Sequence, residues 1–363
     1  MAADADRVAR LRLIRSEQVG VVTYHQLIAR FGSAQAALLA IPDLAARGGG
    51  RTPKLATAEL AEFEFKTVAR LGARHLFLGD PDYPSLLAEL EAPPPVLVVR
   101  GDPGLGARPT VALVGARNAS AAACRHARQL ARQLGEAGQV VVSGLARGID
   151  SAAHDGALAT GTIAVVAGGI DIVFPPENEA RQQAIAEQGL LVAELPPGTE
   201  PRARHFPRRN RIIAGMARGT VVIEAAPRSG SLITARLAGD YGREVMAVPG
   251  SPLDPRAQGC NLLIREGATL VQTAEDILEA LDPGEVRRLV PHAVPIATAP
   301  ALPAEAGDAV RTAVVGLLGP TPVALDELVR QAGQPPSEIQ SVLLELELAG
   351  RLERHAGGKV SLV

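Results

Sequence analysis

Tryptophan is absent from this chain, and aromatic residues make up 2% of it. The hydrophobic share is still 47%. That apolar mass is therefore Ala, Val, Leu and Ile, the composition of helices packed on a parallel sheet. Cysteine occurs twice, at Cys124 and Cys260. Two cysteines without metal-ligand spacing support neither a disulfide framework nor a metal site. No run of about 18 uncharged apolar residues is present, so no membrane span is expected. Met1 to Arg15 is charged along its length, so no signal peptide is expected and a cytoplasmic location is. A Walker A sequence with its lysine is missing, which removes support for nucleoside triphosphate hydrolysis. A G-x-G-x-x-G turn is missing too.

The net charge of −2 says nothing about an anionic partner. The distribution of charge says more. Between Glu200 and Glu224 there is no acidic residue, while Arg202, Arg204, Arg208, Arg209, Arg211 and Arg218 all fall there. A local basic block in a near-neutral chain is the footprint that a polyanion requires. Its competitor is a solvated arginine face.

The length of 363 residues allows two or three domains of about 150 residues each. Residues 1–80 read as a small helical domain, with periodic segments over Val22–Ala40 and Leu60–Leu71. It is read as a packing or protein-contact module. Residues 81–105, bounded by Tyr83-Pro84 and Arg100-Gly101-Asp102-Pro103, read as an extended connector. Residues 106–282 alternate strand and helix. Short apolar runs over 110–114, 139–143, 162–167, 190–194, 220–224 and 244–248 flank helical patterns such as Ala121–Glu136. This predicts an α/β, Rossmann-like, doubly wound and mostly parallel sheet, with ligands at the carboxyl ends of its strands. Residues 283–305 read as a Pro/Ala-rich linker. Residues 306–363 carry three helical stretches and a hairpin around Gly357-Gly358, the pattern of a winged helix. Its third helix, Ser337–Ala349, holds Glu338, Glu345 and Glu347 and no Lys or Arg. Phosphate would repel it, so a protein-contact or structural role is expected there.

Glycines and arginines recur at the strand ends. Gly115-Ala116-Arg117 follows the first strand, Ser143-Gly144-Leu145-Ala146-Arg147-Gly148 the second, and Gly168-Gly169 the third. Ser229-Gly230-Ser231-Leu232-Ile233-Thr234 follows the fifth. Helices opening after such loops present unpaired N–H groups to anions, and Arg117 adds a two-pronged cation. Any one loop could be a mere turn; together they predict a phosphate-binding rim. Arginine at the place of a second glycine would block a dinucleotide pyrophosphate, and no cofactor is expected. In His205-Phe206-Pro207-Arg208-Arg209-Asn210-Arg211, Pro207 reads as the first helical residue. Phe206 would then stand exposed beside cations, as base stacking at about 1–3 kcal/mol per base requires. A core phenylalanine stapling the helix start is the alternative.

Gly144 to His154, Phe206 to Ile213, Ser229 to Ala235, Val248-Pro249-Gly250 and Gly259 to Ile264 closely resemble the signature segments of the DNA-processing A (DprA/Smf) family. The resemblance covers about residues 80–282. The terminal domains resemble the SAM- or helix-hairpin-helix-like and winged-helix-like extensions of many members. It implies a dimer that binds single-stranded DNA, protects it and loads RecA during natural transformation, without catalytic turnover. Single-strand-binding protein is a further implied partner. Arg117 matches the family's phosphate-binding arginine and Phe206 its base-contacting aromatic. The implied DNA-binding set is Gly115, Arg117, Gly144, Arg147, Gly168, Gly169, Arg202, Arg204, Phe206, Arg208, Asn210, Arg211, Ser229, Gly230, Ser231 and Thr234. Two positions depart from the pattern. Ala203 stands where a basic residue is usual, flanked by Arg202 and Arg204, and Ala116 stands where many members carry serine.

An enzyme is the competing class. Gly215-x-x-x-Gly219-Thr220-x-x-x-Glu224 faintly resembles the nucleoside 5′-monophosphate phosphoribohydrolases of the lysine-decarboxylase-like fold. Glu224 would act there, with Asp150 and His154 as acid–base partners. The doubled glycine of that family is replaced by Met216-Ala217-Arg218. His154, Cys124 and Cys260 are read as structural. A pure interaction scaffold is the third class.

Overall fold

The computed structural model describes residues 2–282, 306–355 and 357–363. The expected 283–305 linker lies outside them. The chain forms two compact units, Glu64–Pro291 and the paired ends Met1–Phe63 with His292–Val363. In chain order, helices α1 (Ala2–Arg15), α2 (Val21–Phe31), α3 (Ala34–Arg47) and α4 (Ala58–Arg70) come first. Gly32, at φ +74°, ends α2, and the Ser33 side chain caps α3 by accepting from the Ala36 N–H at 3.2 Å.

The larger unit carries β1 (Arg74–Phe77), α5 (Ser85–Ala88), β2 (Val96–Gly101), β3 (Thr110–Gly115), α6 (Ala121–Glu136) and β4 (Val140–Ser143). Next come α7 (Ile149–Ala157), β5 (Thr162–Val166), α8 (Glu179–Gln188), β6 (Leu190–Ala193), α9 (His205–Met216) and β7 (Gly219–Ile223). It closes with α10 (Gly230–Asp240), β8 (Glu244–Ala247), α11 (Gln258–Arg265), β9 (Thr269–Leu270) and α12 (Ala274–Leu281). The nine-stranded sheet has the order β1-β2-β6-β5-β4-β3-β7-β8-β9. All pairs from β6 to β9 are parallel, while β1 and β2 add an antiparallel edge.

Alternation along β3 sends its side chains to opposite faces. Val111 and Leu113 pack under α6 and α7, while Ala112 and Val114 pack toward α9 and α10. Each such buried Val or Leu contributes about 1.5–3 kcal/mol. The doubly wound expectation is met.

One expectation changes. The segment read as an extended connector holds α5 and β2, and β2 pairs with β6 inside the sheet. The apolar run Val96-Leu97-Val98-Val99 decides this over its proline-rich flanks, and all four are buried.

The C-terminal elements are α13 (Asp308–Leu317), β10 (Val323–Ala324), α14 (Leu325–Ala332), α15 (Pro336–Leu348), β11 (Leu352–His355) and β12 (Lys359–Leu362). The small sheet runs β10-β12-β11, completing a winged helix. Among the described residues, no single helix is long and apolar enough to cross a membrane.

Candidate nucleic-acid interface

From β3 the chain winds through β4 and β5 to β6 on one side, then returns to β7 on the other. The loops after β3 and β7 therefore diverge and leave a crevice at their carboxyl ends. A cavity of about 610 Å³ opens there, between Gly115-Ala116-Arg117-Asn118 and Arg228-Ser229-Gly230-Ser231. A smaller pocket of about 200 Å³ adjoins it, between Gly144–Arg147, Gly168 and Phe174. Arg117, Phe206 and Arg209 line both.

Phe206 is the centre of this arrangement. The Arg117 guanidinium lies 5.1 Å from its ring and that of Arg209 lies 6.0 Å from it. Phe174 meets it at 5.8 Å between centroids and is 46% exposed. Two aromatic faces beside two cations suit sequence-tolerant stacking and phosphate attraction together.

Arg209 is buried and forms the floor. It donates to the carbonyl oxygens of Gly144 and of Val165, the latter at 2.8 Å, and from Nε to Asn210 Oδ1 at 3.1 Å. A side chain at position 144 would collide with this guanidinium, which accounts for glycine there. Burial pulls Arg209 down to about 10, with Asp150 opposing the shift, so it stays charged at neutral pH. Asp150 accepts from the N–H groups of Gly144 at 3.2 Å and Ala146 at 3.3 Å. Burial pushes its carboxyl upward, against Arg209 and these N–H groups.

Helical phase sorts the arginine block. Phe206, Arg209, Asn210 and Ile213 recur at i, i+3, i+4 and i+7 and face the larger cavity. Asn210 ties α9 to the start of α10 by donating to the Gly230 carbonyl at 3.3 Å. Arg211 points elsewhere. It pairs with Glu194 and donates to the Ala92 carbonyl at 3.3 Å, so it is a structural tie. Arg208 lies near Glu194 and His205, while Arg202 and Arg204 are exposed in the turn before α9 and line neither cavity. Pro207 is the third helical residue, since α9 begins at His205.

The remaining expected residues divide likewise. Arg147 lines the smaller pocket while paired with Glu177. Gly168 lines that pocket, whereas Gly169 donates its N–H to the Thr199 carbonyl at 2.9 Å and lines neither cavity. Ser229, Gly230, Ser231 and the buried Thr234 line the larger one. The Ser229 and Ser231 hydroxyls share a hydrogen bond of 2.7 Å. Sequence reasoning left out Phe174 and Arg209. Position 209 was legible as one turn beyond Phe206; Phe174 offered the weaker signal of an aromatic before two prolines in a loop.

The N-terminus of α6 differs from expectation. Its N-cap residue is held by Glu224, which accepts from Ser120 N at 2.8 Å and from Ser120 Oγ at 2.6 Å. Ser120 Oγ in turn accepts from Ala123 N at 3.0 Å. A carboxylate of the chain itself occupies the positive end of the helix.

His154 is buried and drawn down to about 3 by that burial. The Thr162 hydroxyl donates to the Val141 carbonyl at 3.0 Å, so His154 Nδ1–H donates to that hydroxyl at 2.7 Å. Its Nε2 accepts from Leu145 N at 3.3 Å. Among the described residues, no His, Cys, Asp or Glu group is arranged to hold a metal ion.

Residues 74–282 match the family described as DNA recombination-mediator protein A. The chain belongs to the DprA/Smf family. Residues 4–67 match the DprA-like N-terminal HHH domain and residues 298–358 the DprA winged helix domain. Protein Smf of Synechocystis sp. is 35% identical over 307 residues, covering 77% of this chain and 77% of its own length. The crystal structure of DprA from Streptococcus pneumoniae is similar with a TM-score of 0.64 at 34% identity. That likeness covers 77% of this chain and 97% of that one. A DprA structure from Helicobacter pylori, solved to describe a single-stranded DNA binding mode, gives a TM-score of 0.53 at 29% identity. It covers 58% of this chain and 95% of that one.

Proposed function

We propose that this DprA/Smf protein binds single-stranded DNA in the paired cavities at the switch point of its sheet. The bound strand is protected and passed to RecA during natural transformation. The observation that carries this reading is Phe206, held between Arg117 and Arg209 with Phe174 against it. Phosphates meet Arg117 and the start of α10, while bases stack on the aromatic pair. The single-stranded DNA mode described for the Helicobacter pylori protein supports it. The reading takes the protein as a cytoplasmic homodimer, with single-strand-binding protein as a further partner.

It assigns no catalytic turnover. Glu224, Asp150 and His154, the acid–base set of a phosphoribohydrolase, each hold hydrogen bonds that fix the loops. Their engagement in the loops supports that assignment.

Titration of a fluorescent oligo-dT of about 20–30 nucleotides at several salt concentrations, beside a matching duplex, tests the reading. Salt-sensitive binding that prefers the single strand and is lost in Arg117→Ala is expected. Absence of binding at low salt, or release of base from nucleoside monophosphates, overturns it.

A further inference from the structure

Gly48-Gly49-Gly50 follows α3 and has no part in the DNA cleft. A Cβ added at Gly48 would collide with the Glu345 carbonyl oxygen, and one at Gly50 with that of Ala349. The backbone at the end of α15 therefore lies directly on these glycines. Just beyond α15, Arg351 donates from Nη1 to the Gly48 carbonyl at 3.0 Å. Leu344 and Leu348, 3% and 0% exposed, belong to the core that α1, α2 and α3 build. Ile339, Val342, Leu343 and Leu346 of the same helix fill the core of the winged helix itself. So α15 is enclosed on both sides from Ser341 to Leu348, while Pro336, Ser337 and Gln340 at its start are exposed. A helix-turn-helix module that reads DNA lays this helix in the major groove.

Charge agrees independently. Acidic residues outnumber Lys and Arg by seven to five over residues 306–363. Three of the arginines are engaged as ion pairs, Arg311 with Glu345 at 3.0 Å, Arg354 with Glu347 at 2.8 Å, and Arg330 with Glu327. Such a surface does not gather phosphates.

We propose that the winged helix of this chain is an intrachain docking module and not a nucleic-acid reader, its α15 seated in a glycine socket at the end of α3 so that the two chain ends fold as one unit. The inference does not depend on the cleft's ligand.

Hydrogen exchange on the full chain, read by mass spectrometry, tests it with Gly50→Val. Amides of α3 and α15 should lose protection together, by at least tenfold, while the strands from β3 to β8 keep theirs. Wild-type protection of α15 in this variant overturns the docking. Should Gly50→Val not fold, Arg351→Ala serves in the same assay with a smaller joint loss expected. In a second arm, Arg330→Glu with Lys359→Glu should leave affinity for oligo-dT and for duplex within twofold. A loss of fivefold or more for either overturns the assignment.

Discussion

Arg209 follows Phe206 by one helical turn, and its guanidinium lies 6.0 Å from the Phe206 ring while donating to the Val165 carbonyl at 2.8 Å. One buried cation thus joins the ends of β4 and β5 to the aromatic that stands over the cleft. A lysine carries the charge but lacks the planar fork. Arg209→Lys should weaken oligo-dT binding about tenfold and leave the slope of log K against log salt unchanged. Arg117→Ala should instead flatten that slope by roughly 0.7, the value for one contact to a single-strand phosphate. Arg209→Gln, which removes the charge, should leave the slope unchanged too; a flattened slope in that variant would make Arg209 a direct phosphate ligand.

Phe206→Ala and Phe174→Ala should each cost about 1–3 kcal/mol of binding, again without a change in salt slope. The rings are 5.8 Å apart, so the double variant should lose less than the sum. Strict additivity in fluorescence titration would mean that the two rings meet different bases.

Arg211→Ala separates fold from site. Its pair with Glu194 is 15% and 10% exposed, so truncating Arg211 removes a largely buried ion pair. Loss of a buried partner costs on the order of 3–5 kcal/mol, less here because both groups keep some solvent. Thermal unfolding should show that loss, while oligo-dT affinity at 25 °C stays within twofold.

His154 sets an acid limit. Burial draws it from 6.5 to about 3. Between those values the unfolded chain binds a proton that the folded chain refuses, so stability is full above pH 6.5 and declines as pH falls. The slope contributed is up to about 1.4 kcal/mol per pH unit. Urea unfolding at pH 7.5 and 5 should show a steeper decline in wild type than in His154→Gln, which has no such proton. Equal declines would assign the acid sensitivity elsewhere.

Much of the fold was legible because β3 to β8 are apolar runs separated by helical patterns. A shared rim for the loops at Arg117 and Ser229 followed from that alternation, whereas the strand order that puts the switch point between β3 and β7 did not. Three features were hidden for physical reasons. The prolines around β2 signal an extended loop, although Val96–Val99 carry enough apolar surface to enter the sheet. The charge of the 202–211 block masks its phase, so that Arg211, bound to Glu194, was counted in the set while Arg209 was left out. Glu224 is far from Ser120 in sequence, and nothing local announces that it fills the α6 terminus.

The antiparallel edge formed by β1 and β2 also fixes where the larger unit can be cut. A fragment started at residue 106, where the alternating pattern begins, would strip the partner from β6 and bare its backbone along Leu190-Leu191-Val192-Ala193. An open apolar edge of that kind recruits other strands. Such a fragment should self-associate through β6 whatever becomes of its cleft, whereas one that includes Arg74 keeps the edge covered.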